Sequence, residues 1–202
     1  MAVKDHSLDG KIERAARAEF MEKGYIKASL HKIAADAGIT TGALYTRYKS
    51  KDDLFSSIVR ESLEKVFEDG SRIDKMYYDA GEQKSIDSII KAIRSEEEVY
   101  LDIMFRYYDE CVLFMCRSQG SSVEKYIDGL IDKKVEETIK FLKKMTDKDI
   151  DFSGTELILY EQVNFFRLIL EKGYSKEKAM RCIKTADAFM AAGWKDFFGR
   201  IM

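Results

Sequence analysis

The chain has 202 residues, 46% of them apolar and 35% charged, with a net charge of −2; this excludes a disordered chain and fits a globular protein of one large domain or two small ones. The apolar runs fall short of the ~18–20 residues that cross a bilayer, and the N-terminus has no apolar signal segment, so a soluble, cytoplasmic protein with no membrane partner is expected. Three Cys, without a CxxC pair, point to reduced thiols.

Proline is absent, although average usage would give about ten in a chain of this length. Its absence fits long uninterrupted helices, and no stretch alternates as a β-strand does. Charge is uneven. Residues 1–60 hold 11 Lys+Arg against 8 Asp+Glu, and the remainder holds 23 against 28. A mildly basic head on an acidic body suits contact with a polyanion.

In chain order, Leu8, Ile12, Ala15, Ala16 and Phe20 recur at helical spacing. Gly24 should end that helix, since glycine tolerates positive φ. Ser29 stands as the N-cap of a second helix with Leu30, Ile33, Ala34 and Ala37 inward and Gly38 at its end. Thr40 or Thr41 then caps a short third helix, TGALYTRY, with Leu44 and Tyr48 inward. Ser50 followed by Asp53 has the form of a capping box. It opens a fourth helix with Leu54, Phe55, Ile58, Leu63 and Val66 inward, running to about residue 78.

Helix, glycine turn and short helix make a helix-turn-helix. The third helix has the outer face a major groove about 12 Å wide requires, small or hydrogen-bonding: Thr41, Gly42, Ala43, Tyr45, Thr46 and Arg47. Arginine pairs with guanine and threonine methyls meet thymine methyls. Ser29, Tyr45, Lys49 and Lys51 suit phosphates, which position without reading sequence. The same residues also fit an ordinary polar surface helix.

The segment HKIAADAGITTGALYTRYKSKDDLF, residues 31–55, resembles the N-terminal signature of TetR-type transcriptional regulators. There the pattern runs IA..AGVS.GTLY.YF.SK..L. Ile33, Ala34, Ala37, Gly38, Ile39, Gly42, Leu44, Tyr45, Ser50, Lys51 and Leu54 match it. Tyr48 stands where Phe is usual, and Arg47 where Tyr or His is common, which bears on the operator read. The resemblance implies DNA binding through Ser29, His31, Thr40, Thr41, Gly42, Ala43, Tyr45, Thr46, Arg47, Lys49 and Lys51. His31 also fits a solvated surface histidine. The implied fold is all-α, with a helix-turn-helix domain at residues 1–50 and a helical effector-binding and dimerisation domain at 51–202.

In that second part, helices are expected at about 84–104, 107–118, 122–145, 154–171 and 176–198, with Ser95 and Glu98 as a capping box that breaks or kinks the first. Ile127, Leu130, Ile131, Val135, Ile139 and Leu142 form the inner stripe of the third. ELILYEQVNFFRLIL is apolar nearly all round, so burial on more than one side is expected. The last helix mixes large residues with Ala186, Ala188, Ala191, Ala192 and Gly193. These last two helices are expected to form a homodimer, which sets two recognition helices about 34 Å apart on a palindromic operator. They also fit a monomer core.

An apolar or aromatic small-molecule effector would need a mostly apolar pocket with a few polar points. Candidate residues are Met104, Phe105, Tyr107, Tyr108, Phe114, Met115, Glu161, Asn164, Phe165 and Trp194. The stretch YLDIMFRYYDECVLFMC, residues 100–116, also reads as plain core. Cys111 and Cys116, about 140° apart on a helix, should neither bridge nor share a metal, and Cys182 reads with them as a small hydrophobe. No HExxH, phosphate-cradling glycine loop or nucleophile motif occurs, so no enzyme, cofactor or metal site is expected. The reading is a repressor released from DNA by its effector; the alternative is a DNA-bound factor controlled by a protein partner.

Overall fold

The structure, a computed structural model, describes residues 6–82, 86–144, 146 and 148–201. Among them the helices are α1 (His6–Lys27), α2 (Leu30–Asp36), α3 (Thr41–Arg47), α4 (Lys51–Glu82), α5 (Ile86–Arg106), α6 (Tyr108–Cys116), α7 (Ser122–Lys144), α8 (Ser153–Glu171) and α9 (Lys176–Ile201). The expected start of α5 at residue 84 and the expected end of α7 at Met145 lie outside the described residues. Ser95 and Glu98 do not break a helix: α5 runs through them without a non-helical residue. The apolar spacing continues on both sides of the motif, and α5 packs along α9, so tertiary burial overrides the local stop signal.

The chain forms two compact units. One comprises the residues up to Glu64 together with Asp109–Ile127; the other comprises Lys65–Tyr108 and the residues from Asp128 onward.

In the first unit α1 packs on α2 and α2 on α3. Ile12, Ala16, Phe20, Ile33, Leu44, Leu54, Phe55 and Val59 are buried. Phe20 meets Phe55 edge-on at 4.8 Å between ring centroids, and Tyr25 lies 5.4 Å from Phe55. Such pairs add about 0.5–1.5 kcal/mol to the area they bury. Gly24 has φ 70° and ψ 165°, a break inside α1. The freed backbone is paired by the second segment: Tyr25 N–H donates to the Arg117 carbonyl at 2.7 Å, and Arg117 Nε donates to the Met21 carbonyl at 3.0 Å. Ser122 N–H donates to Asp52 at 2.8 Å, and Arg17 pairs with Glu110 at 3.5 Å.

In the second unit Leu101, Ile103, Met104, Ile169, Leu170, Ala179, Ile183 and Ala191 are buried. Leu142, Phe152, Trp194 and Phe198 form a core cluster joined by Phe141, Ile150 and Phe197. Tyr160 of α8 donates to Asp132 of α7 at 2.6 Å. α8 does not bury all its apolar surface within the chain: Leu157 is 69% exposed, and Ile158 and Leu168 are also exposed. These share one flank of α8, and α9 carries Ala188, Phe189, Ala192 and Gly193 on an exposed flank of its own, with Phe189 81% exposed.

Candidate nucleic-acid interface and effector residues

The short helices of the first unit are held by their caps. Ser29 Oγ accepts the Lys32 N–H at 3.4 Å, and the carboxylate of Glu19, itself buried, accepts the Ser29 N–H at 3.0 Å. Gly38, at φ 72°, ends α2. Thr40 Oγ1 accepts the Ala43 N–H at 3.1 Å and so caps α3. Ser50 Oγ accepts the Asp53 N–H at 3.0 Å, while the Asp53 carboxylate accepts from Lys49 N–H at 2.9 Å, one residue before the position a capping box uses. A helix as short as α3 would not persist alone. These bonds and the burial of Leu44 fix it.

Leu44 sets the inward direction of α3. At 100° per residue Gly42 and Thr46 point about 160° away from it, and Tyr45 about 100° away. All three are exposed, Tyr45 by 52%. Thr46 Oγ1 donates to the Gly42 carbonyl at 2.9 Å. Thr41 and Ala43 are half-buried on the flanks, and Thr41 Oγ1 lies 3.0 Å from Nδ1 of exposed His31, tying α2 to α3. Lys49 is exposed just past α3. Ser29, His31, Thr40, Thr41, Gly42, Ala43, Tyr45, Thr46 and Lys49 thus gather on or beside the α2–α3 corner.

Two candidates are engaged elsewhere. Lys51 Nζ donates to the carbonyls of Ile26 at 3.0 Å and Ala28 at 3.2 Å, and lies 4.8 Å from the Tyr25 ring centre. It closes the C-terminus of α1, where a cation is favoured. Arg47 Nε donates to Asp9 at 3.1 Å, with the arginine side chain 19% exposed. Tyr48, at the extended C-cap position, is half-buried. Asp9 and Glu19 carry structural work here that sequence spacing did not single out; Asp9 is 38 positions from its partner.

The effector candidates fall in several places. Met104 is buried near the end of α5, Tyr107 sits in the turn after it, and the rings of Phe105 and Tyr108 stack at 5.5 Å. Phe114 and Met115 belong to the first unit. Glu161 and Asn164 are exposed, on the same flank of α8 as Leu157 and Leu168, with Phe165 half-buried beside them. Trp194 lies in the core cluster, 6% exposed, with no hydrogen-bond partner for its Nε1. Burial pushes the Cys111 thiol up to about 12, helped by the charge of Glu110. Among the described residues no group of His, Cys, Asp or Glu could hold a metal ion, and no helix is long and apolar enough to cross a membrane.

Residues 12–58 match the family model of bacterial regulatory proteins, tetR family. Over 45 residues the chain is 42% identical to the HTH-type transcriptional repressor BepR of Brucella suis biovar 1 (strain 1330). That match covers 22% of this chain and 22% of the relative, so it spans only about a fifth of the relative's length. A TetR-like transcriptional regulator from Rhodococcus sp. RHA1 has a similar fold, with a TM-score of 0.58 at 19% identity over 95% of this chain and 100% of that one. The ketosteroid transcriptional regulator KstR2 of Mycobacterium tuberculosis gives 0.57 at 17% identity, over 95% and 97%.

Proposed function

From the tetR-family DNA-binding domain that residues 12–58 of this chain form, we propose that the protein is a sequence-specific transcriptional repressor that leaves its operator when a small molecule binds. The observation that carries the reading is the outer ridge of α3, where Gly42, Tyr45 and Thr46 stand exposed on a capped helix. A glycine lets the backbone approach DNA, the threonine methyl meets thymine, and the tyrosine reaches phosphate. Lys49, His31 and Thr41 flank them.

The protein acts as a homodimer through α8 and α9. What supports this is the exposed apolar flank of each helix, with Leu157, Ile158 and Leu168 on one and Phe189 among small residues on the other. Such faces on a soluble chain call for a partner surface, and small residues permit close helix approach. Glu161 and Asn164 lie along the same flank and are assigned here to the dimer face instead of the effector. The effector is an apolar molecule held by residues of the second unit. Met104, Phe105, Tyr108, Phe165 and Trp194 are its aromatic and sulfur-bearing candidates, and the unsatisfied Trp194 Nε1 suits an acceptor atom on the ligand. The ketosteroid regulator of similar fold is consistent with a lipophilic molecule of this kind. Binding that prefers heads spaced differently from the operator half-sites lowers DNA occupancy tenfold for about 1.4 kcal/mol of coupling.

The test is selection from a random-sequence duplex pool, followed by native mass spectrometry of the purified protein. The expected product is a palindrome with half-site centres about one turn, roughly 34 Å, apart. A pool that stays unenriched after repeated rounds would end this reading. A co-purified apolar molecule separates effector control from control by a protein partner.

A further inference from the structure

We propose that Asp9 withholds Arg47 from DNA, so that the DNA contacts of α3 are left to Gly42, Tyr45 and Thr46; this rests on the DNA-binding reading above. Arg47 is the sole arginine of α3 and stands three residues after buried Leu44. That spacing turns it about 60° from the inward direction, toward the core side and away from the outer ridge. Its side chain is accordingly only 19% exposed, and its Nε donates to Asp9 at 3.1 Å.

The pair is favoured before DNA arrives. Asp9 lies in the first turn of α1 and Arg47 in the last turn of α3, so each charge sits at the helix end whose dipole stabilises it. For Arg47 to reach a base or phosphate, its charge-assisted hydrogen bond to Asp9 must break. The two side chains together bring no net charge to the interface. With Lys51 bonded to the carbonyls of Ile26 and Ala28, exposed Lys49 just past α3 is placed to meet phosphate. Asp9 is therefore a positioning residue that sets specificity by removing an arginine from the groove.

The experiment compares wild type, Asp9→Asn, Arg47→Ala, the double variant and Glu13→Gln, a charge control on α1. Each is titrated against a 24-bp duplex of arbitrary fixed sequence over a range of NaCl, and each is run through a random duplex pool. Circular dichroism checks folding, and Asp9→Ser replaces Asp9→Asn should the latter unfold. Asp9→Asn should bind the fixed duplex about tenfold tighter, with a log affinity against log salt slope steeper by about 0.9, one added phosphate contact. Its selected pool should gain guanine at a position wild type leaves unselected. Arg47→Ala should keep the wild-type slope, and the double variant should match Arg47→Ala. A slope lower by about 0.9 for Arg47→Ala alone overturns the proposal, because Arg47 would already sit on phosphate. So does a gain that persists in the double variant or that Glu13→Gln reproduces. Loss of all duplex binding by wild type overturns the DNA-binding reading itself and is seen separately.

Discussion

Replacing Lys51 with Met separates a helix cap from a phosphate contact. The ammonium bonds to the carbonyls of Ile26 at the end of α1 and of Ala28 just beyond it, at 3.0 and 3.2 Å, and lies 4.8 Å from the Tyr25 ring centre. Hydrogen bonds from a charged donor contribute roughly 1.5–3 kcal/mol each when shielded, and a cation over a ring about 0.5–1 kcal/mol at an exposed site. Lys51 is half-exposed, so water recovers much of this, leaving about 2 kcal/mol for the local fold. Methionine keeps the aliphatic stem against Tyr25. The Ala28 N–H, bonded to the Gly24 carbonyl at 3.0 Å, reports the turn directly. Its hydrogen exchange should speed about 30-fold in Lys51→Met, while the salt slope of DNA binding stays at its wild-type value. Unchanged exchange together with a slope reduced by about 0.9 would refute the reasoning and put Lys51 on a phosphate.

Gly120→Ala should destabilise the protein by about 1–3 kcal/mol in urea unfolding, because φ is +83° and a Cβ there would stand 3.2 Å from Ile26. Cys111 should resist iodoacetamide at pH 8 in the native protein, whereas exposed Cys182 is alkylated. With the Cys111 thiol raised from 9.0 to about 12, its contribution to stability is fully present below pH 9 and is lost as pH rises through that window, which alkaline unfolding with and without Cys111→Ala would read. If the proposed α8–α9 homodimer forms, Phe189→Glu with Leu157→Glu should leave monomers in sedimentation velocity and weaken operator binding at least tenfold, since two half-sites no longer bind as one.

The head was legible because its signals are local. A hydroxyl at Ser29 or Thr40 and a glycine at position 24 or 38 each act within four residues, and each stands in the structure where its chemistry requires. The Asp9–Arg47 pair was not, because its members are 38 positions apart. One part of it was available: three residues from Leu44, Arg47 turns only about 60° from the inward direction of α3. Residues 100–116 cross a turn at Tyr107 and divide between two units, a division that residue type alone does not signal. α8, apolar nearly all round, leaves one flank bare within a single chain. Ser95 and Glu98 have the letters of a cap inside a helix that does not stop.

The head is made from two stretches of chain separated by more than forty residues. During synthesis α1 to α3 emerge early, yet the carbonyl that receives the Tyr25 N–H belongs to Arg117, and the N–H that Asp52 accepts belongs to Ser122. The ribosome must therefore deliver α4, α5 and α6 before those bonds close, and loop closure over that distance makes them late events in folding. A messenger cut short after Glu64 yields a fragment that carries the whole recognition helix but leaves the break at Gly24 unbraced.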